Sequence, residues 1–153
     1  MEPDKKLGRY LRIRDQLADL FGTVEEPVAR RATVAALIHH KTPGVSWTGF
    51  YLLRQGRLVV DAYQGPLACL VLQEHRGVCW AVVDRQQSVV VPDVHAFPGH
   101  IACDSRSRSE IVVPIWDSTG TVAGVLDVDS HHVGHFDDVD RQGLEAIVAV
   151  LRA

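Results

Sequence analysis

The sequence predicts an α+β layer domain, a central antiparallel sheet flanked by N- and C-terminal helices. Three observations predict it. Helical periodicity is confined to the two ends of the chain and one short middle stretch. Between them lie two pairs of β-branched and aromatic runs, each pair joined by a short turn, and short turns join antiparallel strands. Helices at both ends then need a shared sheet face to cover. The 153 residues, 46% of them hydrophobic, suit one domain over residues 1–153 with one core.

In chain order, "LGRYLRIRDQLADLF" places Leu7, Leu11, Leu17, Leu20 and Phe21 at roughly helical spacing. "EEPVARRATVAALIHH" reads as a second helix, with Pro27 in the first turn where a missing N–H costs little. "VSWTGFYLLR" and "RLVVDAYQG" form a hairpin about "QG". "ACLVLQ" reads as a further strand, "GVCWAVVDRQ" as a short helix after Gly77, and "SVVVPD" as a strand stopped by Pro92. A long loop follows. "SEIVVPIWD", "STG" and "TVAGVLDVDS" make a second hairpin, and "DDVDRQGLEAIVAVLRA" closes the chain as an amphipathic helix starting near Asp137, acidic in its first turn.

The formal charge is −3, and the densest basic patch, "RSRSE", has too few arginines for a nucleic-acid partner. No apolar run approaches the roughly 18–20 residues of a membrane helix, so no membrane partner is expected. "MEPDKKLGRY" lacks the apolar stretch of a secretory signal, and a cytoplasmic location is expected. Three cysteines, an odd number without a CxxC pair, argue against a secreted disulfide framework and against a zinc ribbon.

Cys103 sits in "HAFPGHIACDSRSRSEIVVP", a segment of loop composition. Composition alone leaves open whether it is an incidental surface thiol or a reactive one, since reactivity depends on the microenvironment. His100, Arg106 and Arg108 are near it in sequence and would favour its anion if they touch it. Cys69 and Cys79 are flanked by apolar residues, which by themselves favour buried, inert thiols. Asp127 and Asp129, two apart in "VLDVDS", share a strand face. The bland reading is a solvated strand end before a turn. The sharper one is a pair of acids converging on one site, which raises a carboxyl's pKa. Glu110 opens a strand otherwise made of Ile and Val. Trp47 and Tyr51, four apart, also share a face, as core residues of a hairpin or as a ligand wall. Among eight histidines, "H-x4-H-x2-C" at His95, His100 and Cys103 offers three ligands and no fourth, and "SHHVGH" reads as a solvated turn. No metal and no cofactor are expected.

"W-x-G-F-Y", "QG…AC", "RGVC", "VPDVHAFPGHIACDS", "SEIVVPI" and "GVLDVDS…F-D-x-x-D" follow one another from Trp47 to Asp140. In that order they closely resemble the free methionine-(R)-sulfoxide reductases, which are stand-alone GAF domains. The resemblance implies reduction of the R epimer of free methionine sulfoxide by thiol chemistry. Cys103 matches the nucleophile, Cys69 the cysteine that resolves it, and Cys79 a third that relays. A thiolate attacks the sulfoxide sulfur, a sulfenic acid forms on Cys103, a second thiol condenses with it, and an external dithiol such as thioredoxin reduces the disulfide. Glu110, Asp127 and Asp129 match the acids that hold and polarise the sulfoxide, and Trp47 and Tyr51 the aromatics that pack the ligand. By analogy the chain is expected to form a homodimer. It departs from the family's pattern in "GPLACLVLQEHRGVCW": the Lys-Pro after the first Gly is missing, and Trp80 stands where the family usually carries Gly. A second reading is a GAF sensor or binding module without catalysis, ordinarily joined to an output domain. A third is a structural dimerisation domain. Neither needs three cysteines in these positions.

Overall fold

The computed structural model describes residues 1–100 and 103–152. Ile101 and Ala102, the centre of the "GHIAC" motif, lie outside the described residues. The elements are α1 (Pro3–Phe21), α2 (Pro27–Lys41), β1 (Trp47–Arg54), β2 (Arg57–Gln64), α3 (Gly77–Arg85), β3 (Val89–Val91), β4 (Ser109–Trp116), β5 (Val122–Ser130) and α4 (Asp138–Ala149). A 3₁₀ turn at Val94–Ala96 interrupts the long loop, and another, Val150–Arg152, follows α4. The strands form one antiparallel sheet in the order β2-β1-β5-β4-β3. The expected α+β architecture is therefore present, and both hairpins fall where the turn chemistry put them. At the first turn Gln55 and Gly56 have φ of 53° and 77°, the double positive φ that a two-residue turn between twisted strands requires.

Alternation along the strands divides them between two cores. One face packs against α2 and α4 through Phe50, Ile111, Val113, Leu126 and Val128, and α1 joins the same core by packing on those two helices. The opposite face carries Trp47, Tyr51, Val112 and Val125, packed against α3 through Val78, Cys79, Trp80 and Val82. The buried stripe of α1 is Tyr10, Ile13, Leu17 and Phe21. Leu20, counted above as part of that face, is exposed, and Leu7 and Leu11 are only half-buried. Tyr10, Ile13, Leu17 and Phe21 recur every three or four residues, so they fall in one narrow stripe that Leu20 misses.

α4 begins with a capping box in which the Asp137 carboxylate accepts from the N–H groups of Val139 and Asp140. Asp140 in turn accepts from Asp137 N–H, from the Tyr10 hydroxyl at 2.5 Å and from Lys6 Nζ at 2.5 Å. One buried carboxylate thus satisfies the start of α4 and ties α1 to it.

"ACLVLQ" does not form a strand. It makes one isolated bridge, Val59 to Val71, flanked by backbone bonds from Val60 N–H to Leu70 O and from Leu72 N–H to Leu58 O. Leu70 and Val71 are exposed, so the segment has no apolar partner on one side to hold it flat against β2. It turns away towards α3 instead.

Candidate functional site

Strand register assembles the site. β5 lies between β1 and β4, and Trp47, Asp129 and Glu110 occupy one row across the three strands. Gly49, Asp127 and Val112 occupy the next row. All of these belong to the α3-facing side, so the expectation that Asp127 and Asp129 share a face holds, and Glu110 joins them from the neighbouring strand. Gly49 is needed in this arrangement. A Cβ there would collide with the side chains of Tyr63 and Trp47, whose rings stack at 5.3 Å. Trp47 also stacks on Tyr51 at 5.9 Å, and the two form one wall of a cleft.

The aromatic wall also fixes a loop. Trp47 Nε1 donates to the carbonyl of Pro66, and the Tyr51 hydroxyl donates to the carbonyl of Cys69. The segment after β2 is thereby held over the cleft. It presents the half-buried Cys69 to Cys103, which arrives from the loop before β4. The two are joined as a disulfide with a Cα–Cα distance of 5.5 Å. Cys79 is the free cysteine, buried in the first turns of α3.

The acids line the same cleft as Cys103. Glu110 and Asp127 are each 6% exposed, and Asp129 retains more exposure at the cleft. Burial, then the charge of Asp129, pushes the Asp127 carboxyl up to about 8. Burial and the neighbouring Asp127 raise Glu110 well above the usual carboxylate range, and burial, then Glu110, does the same for Asp129. Burial followed by the Asp127, Glu110 and Asp129 charges raises the Cys79 thiol. These shifts favour the protonated forms, and a protonated carboxyl can donate to an oxygen placed in the cleft.

The residues expected to assist the Cys103 anion divide. His100 lines the cleft, but burial and His95 lower its pKa and favour the neutral ring. Arg106 is engaged with Asp104 through its backbone N–H and its Nε. Arg108 is exposed, and its N–H donates to the carbonyl of Ser130. Arg76, Leu67, Leu72 and Ser107 also line the cleft, and none was singled out from the sequence. The only hint was position, since Arg76 opens the "RGVC" segment and Leu72 precedes it by four residues. Trp80 does not line the cleft. It is buried beneath α3, with its ring 4.5 Å from that of His75. His131, His132 and Val133 are exposed, as a solvated turn should be.

The GAF domain family matches residues 31–152. Free methionine-R-sulfoxide reductase of Escherichia coli is 44% identical over 124 residues, covering 81% of this chain and 74% of that protein. The structure of free methionine-R-sulfoxide reductase of Neisseria meningitidis in complex with its substrate superposes with a TM-score of 0.90 at 40% identity, covering 95% of this chain and 87% of the other. That of the Staphylococcus aureus fRMsr protein, also in complex with substrate, gives a TM-score of 0.87 at 39% identity over 93% and 92%. With this fold, this cleft and these relatives, the chain belongs to the GAF domain family and, within it, to the free methionine-R-sulfoxide reductases.

Proposed function

We propose that this protein reduces free methionine (R)-sulfoxide to methionine, with Cys103 as nucleophile, Cys69 as resolving thiol and the three acids as the polarising floor. One observation carries the reading: Cys103, joined to Cys69 as a disulfide, lines the same cleft as Glu110, Asp127 and Asp129. The Cys103 thiolate attacks the sulfoxide sulfur while a protonated carboxyl donates to its oxygen. The oxygen passes to Cys103 as a sulfenic acid and methionine leaves. Cys69 attacks the sulfenic sulfur, water leaves and the disulfide closes. Two thiols are oxidised for each sulfoxide reduced by two electrons. Trp47 and Tyr51 pack the methionine side chain. The relay given to Cys79 by resemblance is not needed for this step, because the resolving pair is already joined without it.

A dithiol of the thioredoxin type would reopen the bond by exchange. Cys103 is exposed, and the loop bearing Cys69 presents Leu67 and Leu70 to solvent, which supports access by a protein reductant. A reducing compartment such as the cytoplasm suits the cycle. Among the described residues no helix is long and apolar enough to cross a membrane. A sensor has no use for a disulfide across its ligand cleft.

The test is methionine released per chain, with a sulfenic-acid trap read by mass. Cys103→Ser should release none. Cys69→Ser should release about one equivalent without reductant and stop at the sulfenic acid. A single-turnover burst from Cys103→Ser would overturn the assignment of the nucleophile. Normal thioredoxin-dependent turnover by Cys69→Ser would pass the resolving role to Cys79.

A further inference from the structure

We propose that the floor of the cleft is a site for a borderline-soft divalent cation of the zinc type, held by the Cys79 thiolate, Glu110 and Asp127, and that the bound ion excludes the sulfoxide. The exclusion rests on the function proposed above; the binding does not.

The three side chains are buried, and their ligand atoms lie within 4.8 Å of one another. Sulfur and oxygen ligands at ordinary zinc distances, set tetrahedrally, are about 3.6 Å apart, so side-chain rotations of about an ångström close the set. They come from three rigid elements: Cys79 from α3, Glu110 from β4 and Asp127 from the adjacent β5. A second observation points the same way. Asp127, which lines the cleft, is 6% exposed, and its buried Oδ1 has no hydrogen-bond partner, although the carboxyl as a whole lies close enough to Glu110 and Cys79 to share protons with them. Among the described residues, no ion pair reaches Glu110, Asp127 or Asp129. Two buried carboxylates and a thiolate without a counter-charge must be neutralised by protons or by a cation. Protons serve the reductase, and a divalent ion is the competing solution to the same deficit. One thiolate with two carboxylates suits zinc or cadmium better than magnesium or calcium, and three protein ligands leave one position open. The ion would lie where the acids meet the sulfoxide oxygen.

The Cys69–Cys103 disulfide makes the test specific, because in the oxidised protein Cys79 supplies the only thiol. Cadmium is titrated into oxidised protein and its thiolate charge-transfer absorption followed in the ultraviolet. The expected result is one ion per chain, displaced by zinc. The band should be lost in Cys79→Ser, and the affinity weakened at least tenfold in Asp127→Asn and in Glu110→Gln. In the unaltered protein, calorimetry in two buffers should report more than one proton released per zinc, since the ligands must ionise to bind. Methionine sulfoxide should raise the apparent dissociation constant in proportion to its concentration. No band at millimolar cadmium, zinc binding without proton release, or unchanged affinity in both carboxyl variants would overturn the site. Binding with the expected variant dependence but without competition by methionine sulfoxide would uphold the site and overturn the exclusion.

Discussion

Replacing Trp80 by glycine separates two roles for the side chain that departs from the family's pattern. If the indole narrowed the cleft, its removal would widen the site and lower the Michaelis constant. The structure puts it in the core instead, 4% exposed on α3, away from the cleft lining. Deleting a buried indole costs about 3–5 kcal/mol. A glycine inside a helix adds about 1 kcal/mol relative to alanine. Against this, Trp80 Nε1 is buried without a hydrogen-bond partner. Removing an unsatisfied donor returns about 1–2 kcal/mol. The net loss is about 2–5 kcal/mol, or roughly 4–20 °C in melting temperature for a chain of this size. Differential scanning calorimetry with steady-state kinetics well below the transition measures both quantities. Trp80→Phe, which keeps most of the volume and deletes the orphan N–H, should lose less than about 1.5 kcal/mol. A glycine variant with a parental melting temperature and a lowered Michaelis constant would refute the core assignment.

Asp129→Asn should keep the fold and lose most turnover, because it removes an acid while nearly preserving shape; parental kcat at unchanged melting temperature would exclude that role. Stability should fall as pH rises from about 5 to 8. Asp127 has a folded pKa of about 8 against an ordinary 3.8, so its contribution is complete below about 4 and is lost as pH rises through 8. Glu110 and Asp129 are shifted in the same direction, the raised Cys79 contributes only above its ordinary 9.0, the lowered His39 and His100 act in the opposite direction only below 6.5, and the lowered carboxyls Asp61 and Asp137 are already ionised throughout that window. Melting curves across pH should therefore be flatter for Asp127→Asn than for the parent, and parallel curves would contradict the assignment. Tyr10→Phe removes the hydroxyl that donates to buried Asp140 and should cost about 1.5–3 kcal/mol by chemical denaturation, with turnover per folded molecule unchanged.

Most of the elements were legible because their signals are local. "QG" between two aromatic runs, Pro27 in a first turn and Asp137 before an amphipathic run each act within a few residues of themselves. "ACLVLQ" misled because an apolar run resembles a strand whether or not a neighbour exists to pair with it. Leu20 misled because leucines at roughly helical spacing do not reveal which stripe of α1 packs into the core. The site was legible in part. That Asp127 and Asp129 share a face follows from strand periodicity. That Glu110 stands beside Asp129 follows from the register of β4 on β5, which no local pattern encodes. The joining of Cys69 to Cys103 across 34 residues came from resemblance to a family and not from the spacing of the cysteines. Gly49 and Arg76 went unmarked because their parts depend on what the fold brings next to them.

The alternation in β5 has a consequence for how such a protein changes over generations. Leu126 and Val128 face the core shared with α1, α2 and α4, while Val125, Asp127 and Asp129 face the α3 side, where the two acids line the cleft. Neighbouring positions of one strand therefore answer to different selection. Substitutions at 126 or 128 are felt as lost abundance, and substitutions at 127 or 129 as altered chemistry in a protein that still accumulates. Because crowding buried acids is unfavourable, replacing them should leave the scaffold sturdier than before. Descendants that abandon the reaction are then free to rebuild the α3 side around another small molecule without first repairing the helical side. The same separation offers an engineer a scaffold whose ligand can be redesigned on alternate residues of three adjacent strands.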